Sequence, residues 1–256
     1  MVVRPDRASP TQKMTRDDSQ ERAHQQRLAQ LGALFAGFAH EVRNPLSTIG
    51  LNLQLIEEDY QEAETPRDKR TLKRVKVLES EVARLQVILE EFLSFARKPD
   101  LQLQPTDLNG MLQDLVDFHS TEMREKGISL RFFPLHGIGR VLVDPAQLRA
   151  AVVNLVKNAF EACAEGDEVL VALRKEGRDL VIRVTDTGPG MAPEVQQKAF
   201  EPYFSTKRTG TGLGLPTVRR IAEDHGGRIE LTSEVGKGTQ FALRLPLTES
   251  VREGGA

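Results

Sequence analysis

The chain has 256 residues, 39% of them hydrophobic and 28% charged, with 35 Lys and Arg against 37 Asp and Glu for a formal net charge of −2. The near-neutral balance argues against a nucleic-acid partner, and a single cysteine, Cys163, excludes an intrachain disulfide and a cysteine zinc site and fits a reducing compartment. No window approaches the roughly eighteen apolar residues of a membrane span, the polar N-terminus lacks a signal-peptide core, and Val2 stands where myristoylation needs glycine, so the expectation is a soluble, cytoplasmic protein.

Residues 1–20, with Pro5, Ser9, Pro10 and Ser19 among charges, read as a disordered tail. Residues 21–98 read as a helical hairpin. In its first helix Leu31, Phe35, Phe38, Val42, Leu46, Ile49 and Leu53 recur at steps of three and four and form one apolar stripe. His40 falls about 180° from Leu31 on the helical wheel, opposite that stripe. Asn44 lies one turn further on the same face, and Glu41 is adjacent. Pro45 cannot donate to the Glu41 carbonyl and predicts a kink beside His40. A neutral imidazole is a competent nucleophile near neutral pH, and a carboxylate beside it can hold one ring N–H while the other nitrogen attacks. The competing reading of His40 is an ordinary solvated histidine.

The stretch from Gln61 to Pro66 breaks the pattern, and a second helix follows from about Arg67 to Arg97. Val75, Leu78, Val82, Leu85, Leu89, Phe92 and Ala96 alternate steps of three and four, a heptad seam. One hairpin leaves such a stripe half covered, so two hairpins are expected to pair into a four-helix bundle in a homodimer. The alternative is a monomeric hairpin packed on the rest of the chain.

Residues 99–248 change to mixed helix and strand, and 249–256 read as a second disordered tail. The pattern predicts a short strand at Leu101–Leu103, a helix from Thr106 to about His119, a strand at Ile128–Phe133 and another at Arg140–Val143. Asp144, Pro145 and Gln147 open a helix to about Ala164, with Asp144 as N-cap and Gln147 closing a capping box. Glu168–Arg174 and Leu180–Thr185 form a hairpin around Gly177. A glycine-rich stretch, a helix from about Pro216 to Asp224 and a hairpin of Arg228–Ser233 with Thr239–Leu245 complete the domain. The fold class expected is α+β, three helices on a mostly antiparallel sheet of about five strands, an α/β sandwich.

This domain carries two further constellations. Asn154 and Asn158 lie one helical turn apart, and two amide oxygens suit a Mg²⁺ already loaded with phosphates, where carboxylates would repel them. Asp186 ends a strand, where its carboxylate can accept from an exocyclic amine such as that of adenine. Gly188 and Gly190 follow it, and a second run, Gly210, Thr211, Gly212, Leu213, Gly214 and Leu215, leads into a helix whose N-terminus suits a phosphate. Neither run is a Walker loop or a dinucleotide fingerprint. Between them, Phe200 to Thr209 joins an apolar anchor to a cationic segment with Lys207 and Arg208, the composition of a lid over a polyphosphate.

Taken together these residues resemble the bacterial sensor histidine kinases of two-component systems, over about residues 28–247. His40, Glu41, Arg43, Asn44, Pro45 and Leu46 look like the family's H box, and Asn154, Asn158 and Ala159 like its N box. Asp186, Gly188 and Gly190 are similar to the G1 box, Phe200, Pro202 and Phe204 to the F box, and Gly210 to Leu215 to the G2 box. The resemblance implies a dimerisation and phosphoacceptor hairpin followed by an ATP-binding domain of the fold shared with gyrase and heat-shock chaperone ATPases. It implies that His40 attacks the γ-phosphate of ATP, that Glu41 orients and activates it, and that Asn158, with Asn154, holds Mg²⁺. It assigns adenine to Asp186, the pocket wall to Gly188 and Gly190, and phosphates to Thr206, Lys207 and the backbone from Gly210 to Gly214, Thr211 and Leu213 included. The phosphoryl group would pass to an aspartate of a response regulator, and Asn44, at the offset tied to phosphatase activity, would help to dephosphorylate it. Family members usually carry a sensor domain upstream, so the chain is expected to be a fragment or to take its input from a separate sensory protein. The readings in competition are an ATP-gated scaffold that clamps a partner without phosphorylating His40, and a nucleic-acid-binding regulator, which the charge disfavours.

Overall fold

The computed structural model describes residues 42–60, 65–96, 100–207 and 210–247. His40, Glu41, the tails expected at 1–20 and 249–256, most of the connector at 61–64, and Arg208 and Thr209 of the expected lid lie outside the described residues. The chain divides into two compact units, a helical hairpin and a mixed α/β domain.

In the hairpin, α1 is helical over residues 42–59 and α2 spans Pro66–Ala96. Thr65 caps α2: its hydroxyl accepts from the Asp68 N–H at 3.1 Å. Pro66, expected only as a breaker, is the first residue of the helix, where its missing N–H has no acceptor to leave empty. The two helices run antiparallel, with Gly50 against Val82 and Lys76 paired to Glu57 at 3.2 Å. The expected seam divides in two. Val75 is buried, as is Leu53 of the first-helix stripe, and Val82 and Leu89 are half-buried, whereas Leu78 and Leu85 remain 53% and 50% exposed. A lone pair of helices covers only one side of each apolar stripe. Among the described residues no helix is long and apolar enough to cross a membrane.

The second unit runs β1 Gln104–Thr106, α3 Leu108–Glu125, β2 Ser129–Phe133, β3 Val141–Val143, α4 Pro145–Ala162, β4 Glu168–Glu176, β5 Asp179–Asp186, α5 Pro193–Lys198, α6 Gly214–Asp224, β6 Arg228–Glu234 and β7 Gly238–Pro246. Five strands form one sheet in the order β2-β4-β5-β7-β6, while β1 and β3 make a separate antiparallel pair. Only β2 with β4 is parallel in the large sheet. The register aligns the alternating apolar positions: Val171, Val184 and Phe241 form one row, and Leu173, Ile182 and Leu243 the next. These rows meet Leu112 and Leu115 of α3, Val152 and Leu155 of α4 and Val218 of α6 in one core, and each fully buried Leu, Ile or Val stabilises it by about 1.5–3 kcal/mol. Among the residues of opposite parity, Arg244 reaches Glu230 at 2.7 Å and Glu176 at 2.9 Å, and Arg183 also pairs with Glu176. A charged outer face of this kind needs no second layer of helices.

Three elements depart from the expectation by more than two residues. The strand at Leu101–Leu103 is displaced to Gln104–Thr106, because the Gln102 N–H is taken by the Asp144 carboxylate at 3.0 Å. Pro105 is tolerated there because the pair is all edge. The helix expected from Thr106 to His119 starts at Leu108, capped by Asp107, and runs to Glu125, since buried Met123 continues its apolar face. The glycine-rich stretch contains the short helix α5, which is too brief to show a period.

Candidate active site

On β5 the core-facing positions are Leu180, Ile182 and Val184, and the next residue of that row is Asp186. The strand period therefore delivers a carboxylate to the rim of the core, where Asp186 is only 4% exposed. Its Oδ1 accepts from the N–H groups of Gly188 at 3.1 Å and Thr239 at 3.2 Å. Among the described residues none donates to Oδ2. Burial raises its pKa above the ordinary carboxylate value, and the two backbone N–H groups only partly oppose this. Cys163, the C-cap residue of α4, lies beside it, and burial with the charges of Asp186 and Asp167 pushes the thiol up to about 11. It is therefore not a nucleophile at neutral pH.

Asn154 and Asn158 project from successive turns of α4 and are both half-buried. Asn154 lies against the start of α6: a Cβ built on Gly214 would sit 3.5 Å from its Oδ1. Lys207 reaches Glu161 Oε2 at 2.6 Å and the Asn158 carbonyl at 3.4 Å, and its charge, with the two backbone N–H groups, partly opposes the rise that burial causes in the Asp186 pKa. One stretch of α4 thus gathers Asp186, the amide pair, Lys207 and the N-terminus of α6. Among the described residues no side chain caps that N-terminus, which suits an anion. The amide pair fits a hard cation that already carries phosphate oxygens, and among the described residues no cluster of three His, Cys, Asp or Glu would hold a metal on its own.

The glycines differ in what demands them. Gly188 is flanked by Ala162 and Asp186, and a Cβ would lie 3.3 Å from the Ala162 carbonyl oxygen. Gly190 has φ 68°, and a Cβ would overlap the Glu234 carbonyl oxygen at 2.1 Å, so its need comes from the turn between β6 and β7. Gly212 at φ 72° accepts at its carbonyl from the N–H of Tyr203, which itself has φ 66°. A left-handed tyrosine is strained backbone. A Cβ at Gly210 would lie 2.3 Å from Ser205 Oγ. Leu213 is buried, its N–H donating to Thr211 Oγ1 at 3.3 Å, and Thr206 is exposed. In the hairpin, Asn44 is exposed and its carbonyl accepts from Thr48 Oγ1 at 3.1 Å.

Glu161, Gly238 and Thr239 also shape the site and stand outside the motifs. Glu161 holds Lys207 in this structure, and its position three residues after Asn158 was a legible signal. Gly238 has φ 102° and no room for a Cβ beside the Asp186 carbonyl, and Thr239 follows it with the N–H on Asp186. The Gly236-Lys237-Gly238-Thr239 run was the available cue.

The sequence model of the histidine kinase-, DNA gyrase B- and HSP90-like ATPases matches residues 143–249, and that of the His Kinase A (phospho-acceptor) domain matches residues 30–100. The chain is 38% identical over 227 residues to the sensor histidine kinase ZraS of Klebsiella oxytoca, across 88% of this chain and 48% of ZraS. It therefore spans about half the length of the curated relatives it matches. Among solved structures, full-length ShkA in complex with AMPPNP aligns at TM-score 0.72 and 28% identity, over 86% of this chain and 47% of ShkA. The catalytic domain of the histidine kinase ThkA aligns at TM-score 0.53 and 30% identity, over 57% of this chain and 97% of that domain. ThkA in complex with the response regulator TrrA aligns at TM-score 0.64 and 26% identity, over 94% of this chain and 69% of ThkA.

Proposed function

The chain belongs to the sensor histidine kinases, and from that premise we propose that it phosphorylates His40 from ATP and passes the phosphoryl group to an aspartate of a response regulator. What supports this most is the convergence of Asp186, Asn154, Asn158, Lys207 and the start of α6 on one stretch of α4, in a chain that also matches the phosphoacceptor family.

Asp186 accepts from the adenine amino group through Oδ2, its Oδ1 being held by Gly188 and Thr239. The backbone from Gly210 to Gly214 and the α6 N-terminus bind phosphates, with Thr206 at the lid, and Lys207 leaves Glu161 for them when nucleotide enters. Asn158, with Asn154, would hold Mg²⁺, which when bound neutralises charge on the triphosphate. One imidazole nitrogen of His40 attacks the γ-phosphorus in line. The N–P bond forms as the bond to the β,γ-bridging oxygen breaks, and ADP leaves with that electron pair. Glu41 holds the other ring N–H and stabilises the charge that develops on the imidazole. Such catalysis is positioning and charge neutralisation. The product is a phosphoramidate, the donor to the regulator. ThkA with TrrA shows a relative bound to such a regulator. Labelling the chain with radioactive Mg-ATP tests the reading: acid-labile, alkali-stable label is expected. Nucleotide binding without any label would favour the ATP-gated scaffold.

Leu78 and Leu85, half exposed on α2, are the observation behind a homodimer. Glu at both positions is expected to give monomers in light scattering at micromolar concentration while nucleotide affinity stays at the wild-type value. A monomeric wild type would contradict the four-helix bundle.

Asn44 is uncharged, exposed and one turn from His40 along the sequence, a place from which its amide can orient a water toward a phosphoaspartate. Asn44→Ala is expected to lose regulator dephosphorylation and keep most of the autophosphorylation. A parallel fall in both activities would assign Asn44 to the carbonyls that Pro45 leaves without donors.

A further inference from the structure

We infer that His225 is a positioning residue for the nucleotide site: it pins the end of α6 to the start of α4 and so sets the spacing between the phosphate-binding N-terminus of α6 and the amide pair of α4. The inference rests on the reading above that these two helices hold ATP.

His225 closes α6 and uses both ring nitrogens. Nδ1 lies 2.8 Å from the Ile221 carbonyl oxygen, and Nε2 lies 3.0 Å from the backbone N of Asp144. A carbonyl can only accept and a backbone N–H can only donate, so Nδ1 carries the hydrogen and Nε2 offers its lone pair. The first contact is local to α6. The second spans 81 residues of sequence and joins two helices.

Asp144 has a particular need for this acceptor. In a reciprocal capping box the side chain at the third helical residue reaches back to the N-cap N–H. Here that side chain, Gln147, turns its amide to the Asp144 carboxylate instead, at 3.1 Å. The carboxylate also accepts from the N–H groups of Ala146, Gln147 and Gln102. The Asp144 N–H, in a residue only 4% exposed, is left to His225. One buried residue thus ties the approach to β1, the start of α4 and the end of α6.

The connection bears on the site because α4 and α6 pack antiparallel. Asp144 meets His225 at one end, and Asn154 meets Gly214 at the other, about 15 Å along α4 at 1.5 Å per residue. The surfaces between them are apolar, with Leu148 and Val152 on α4 and Val218 and Ile221 on α6. Apolar burial is non-directional, whereas a hydrogen bond at the helix ends adds a directional constraint on their axial register. Phosphates on α6 and oxygen donors on α4 must act on one triphosphate, so their spacing matters at the scale of an ångström.

The test uses the full chain and calorimetry with Mg²⁺ and either AMPPNP or ADP. Gln at position 225 carries a carbonyl oxygen at the reach of Nε2 and can accept from Asp144. Asn carries its amide at the reach of Nδ1 and restores only the contact to Ile221, and Phe fills the space with neither. His225→Gln is expected to stay within about twofold of wild-type AMPPNP affinity, whereas His225→Asn and His225→Phe weaken it by roughly tenfold, the scale of one lost hydrogen bond. ADP, which lacks the γ-phosphate, is expected to lose less. Equal affinity in all three variants, an equal fall in all three in step with their melting temperatures, or rescue by Asn and not by Gln would each overturn the inference. If His225→Phe does not fold, the Gln and Asn pair decides. A wild type that binds neither nucleotide overturns the reading of the site and the inference with it.

Discussion

His40→Gln is expected to abolish phosphorylation of the chain by Mg-ATP while leaving nucleotide affinity at the wild-type value. The amide of Gln has no lone pair basic enough to attack phosphorus, so no slower version of the same route survives. Glu41→Gln should be graded rather than absolute, because it removes only the carboxylate that holds the ring N–H. A loss of roughly 10²–10⁴-fold in labelling rate is expected for such a partner. The two variants together separate an acceptor from a residue that acts on it. Undiminished acid-labile label in His40→Gln would place the acceptor elsewhere. Label that survives acid would indicate a hydroxyl acceptor and a different reaction.

Asp186→Asn is expected to weaken nucleotide binding and at the same time raise the melting temperature of the nucleotide-free protein. The binding loss follows from hydrogen-bond polarity. Asn can keep its Oδ1 on the N–H groups of Gly188 and Thr239, but it then presents an NH₂ where the carboxylate offered an acceptor. The Asn NH₂ and the adenine amino group would then face each other as two donors. Loss of a hydrogen bond to a charged group is worth about 1.5–3 kcal/mol, or roughly 10- to 150-fold in affinity. The stability gain follows from the sign of the pKa shift. Burial raises the folded-state pKa of Asp186, so its ionised form is less favourable in the fold than in the unfolded chain. That penalty is fully present above the folded pKa and relaxes as the pH falls through it. At neutral pH the neutral amide removes it. Calorimetry with ADP and thermal unfolding without nucleotide check the two halves. Wild-type affinity in the variant would take adenine away from Asp186, and a lower melting temperature would mean that the charge is better accommodated than its burial implies.

A second buried carboxylate of the domain shows why burial alone does not decide such a sign. Asp144 is as buried as Asp186, and burial again raises its pKa, but donors from Gln147, Gln102 and Ala146 outweigh this and hold it below the ordinary value. Its contribution to stability is present above the unfolded pKa and is lost only as the pH falls through the lower, folded one. Asp144 is a structural anion, fully used by the chain. Asp186 keeps one oxygen without a donor among the described residues, which is the condition of a carboxylate that waits for a ligand.

Much of this molecule is determined by short-range rules that a sequence carries openly. Asp144, Pro145 and Gln147 mark the start of α4 because capping concerns neighbouring residues. Leu180, Ile182 and Val184 mark a strand whose next inward position is Asp186, because the strand period is two. The five motifs are local strings, and their order needs no coordinates. What the tertiary structure alone decided is where the free valences of those local elements go. The capping box of α4 is not closed by Gln147 but by His225 from the end of another helix. The Gln102 N–H caps a carboxylate rather than extending a strand, which moves β1 along the chain. Lys207 rests on Glu161, and Gly190 answers to a turn between two later strands. Each of these is a hydrogen bond, ion pair or close approach between residues far apart in sequence. Local propensity fixes which donors and acceptors a segment leaves over, and only packing brings them to a partner.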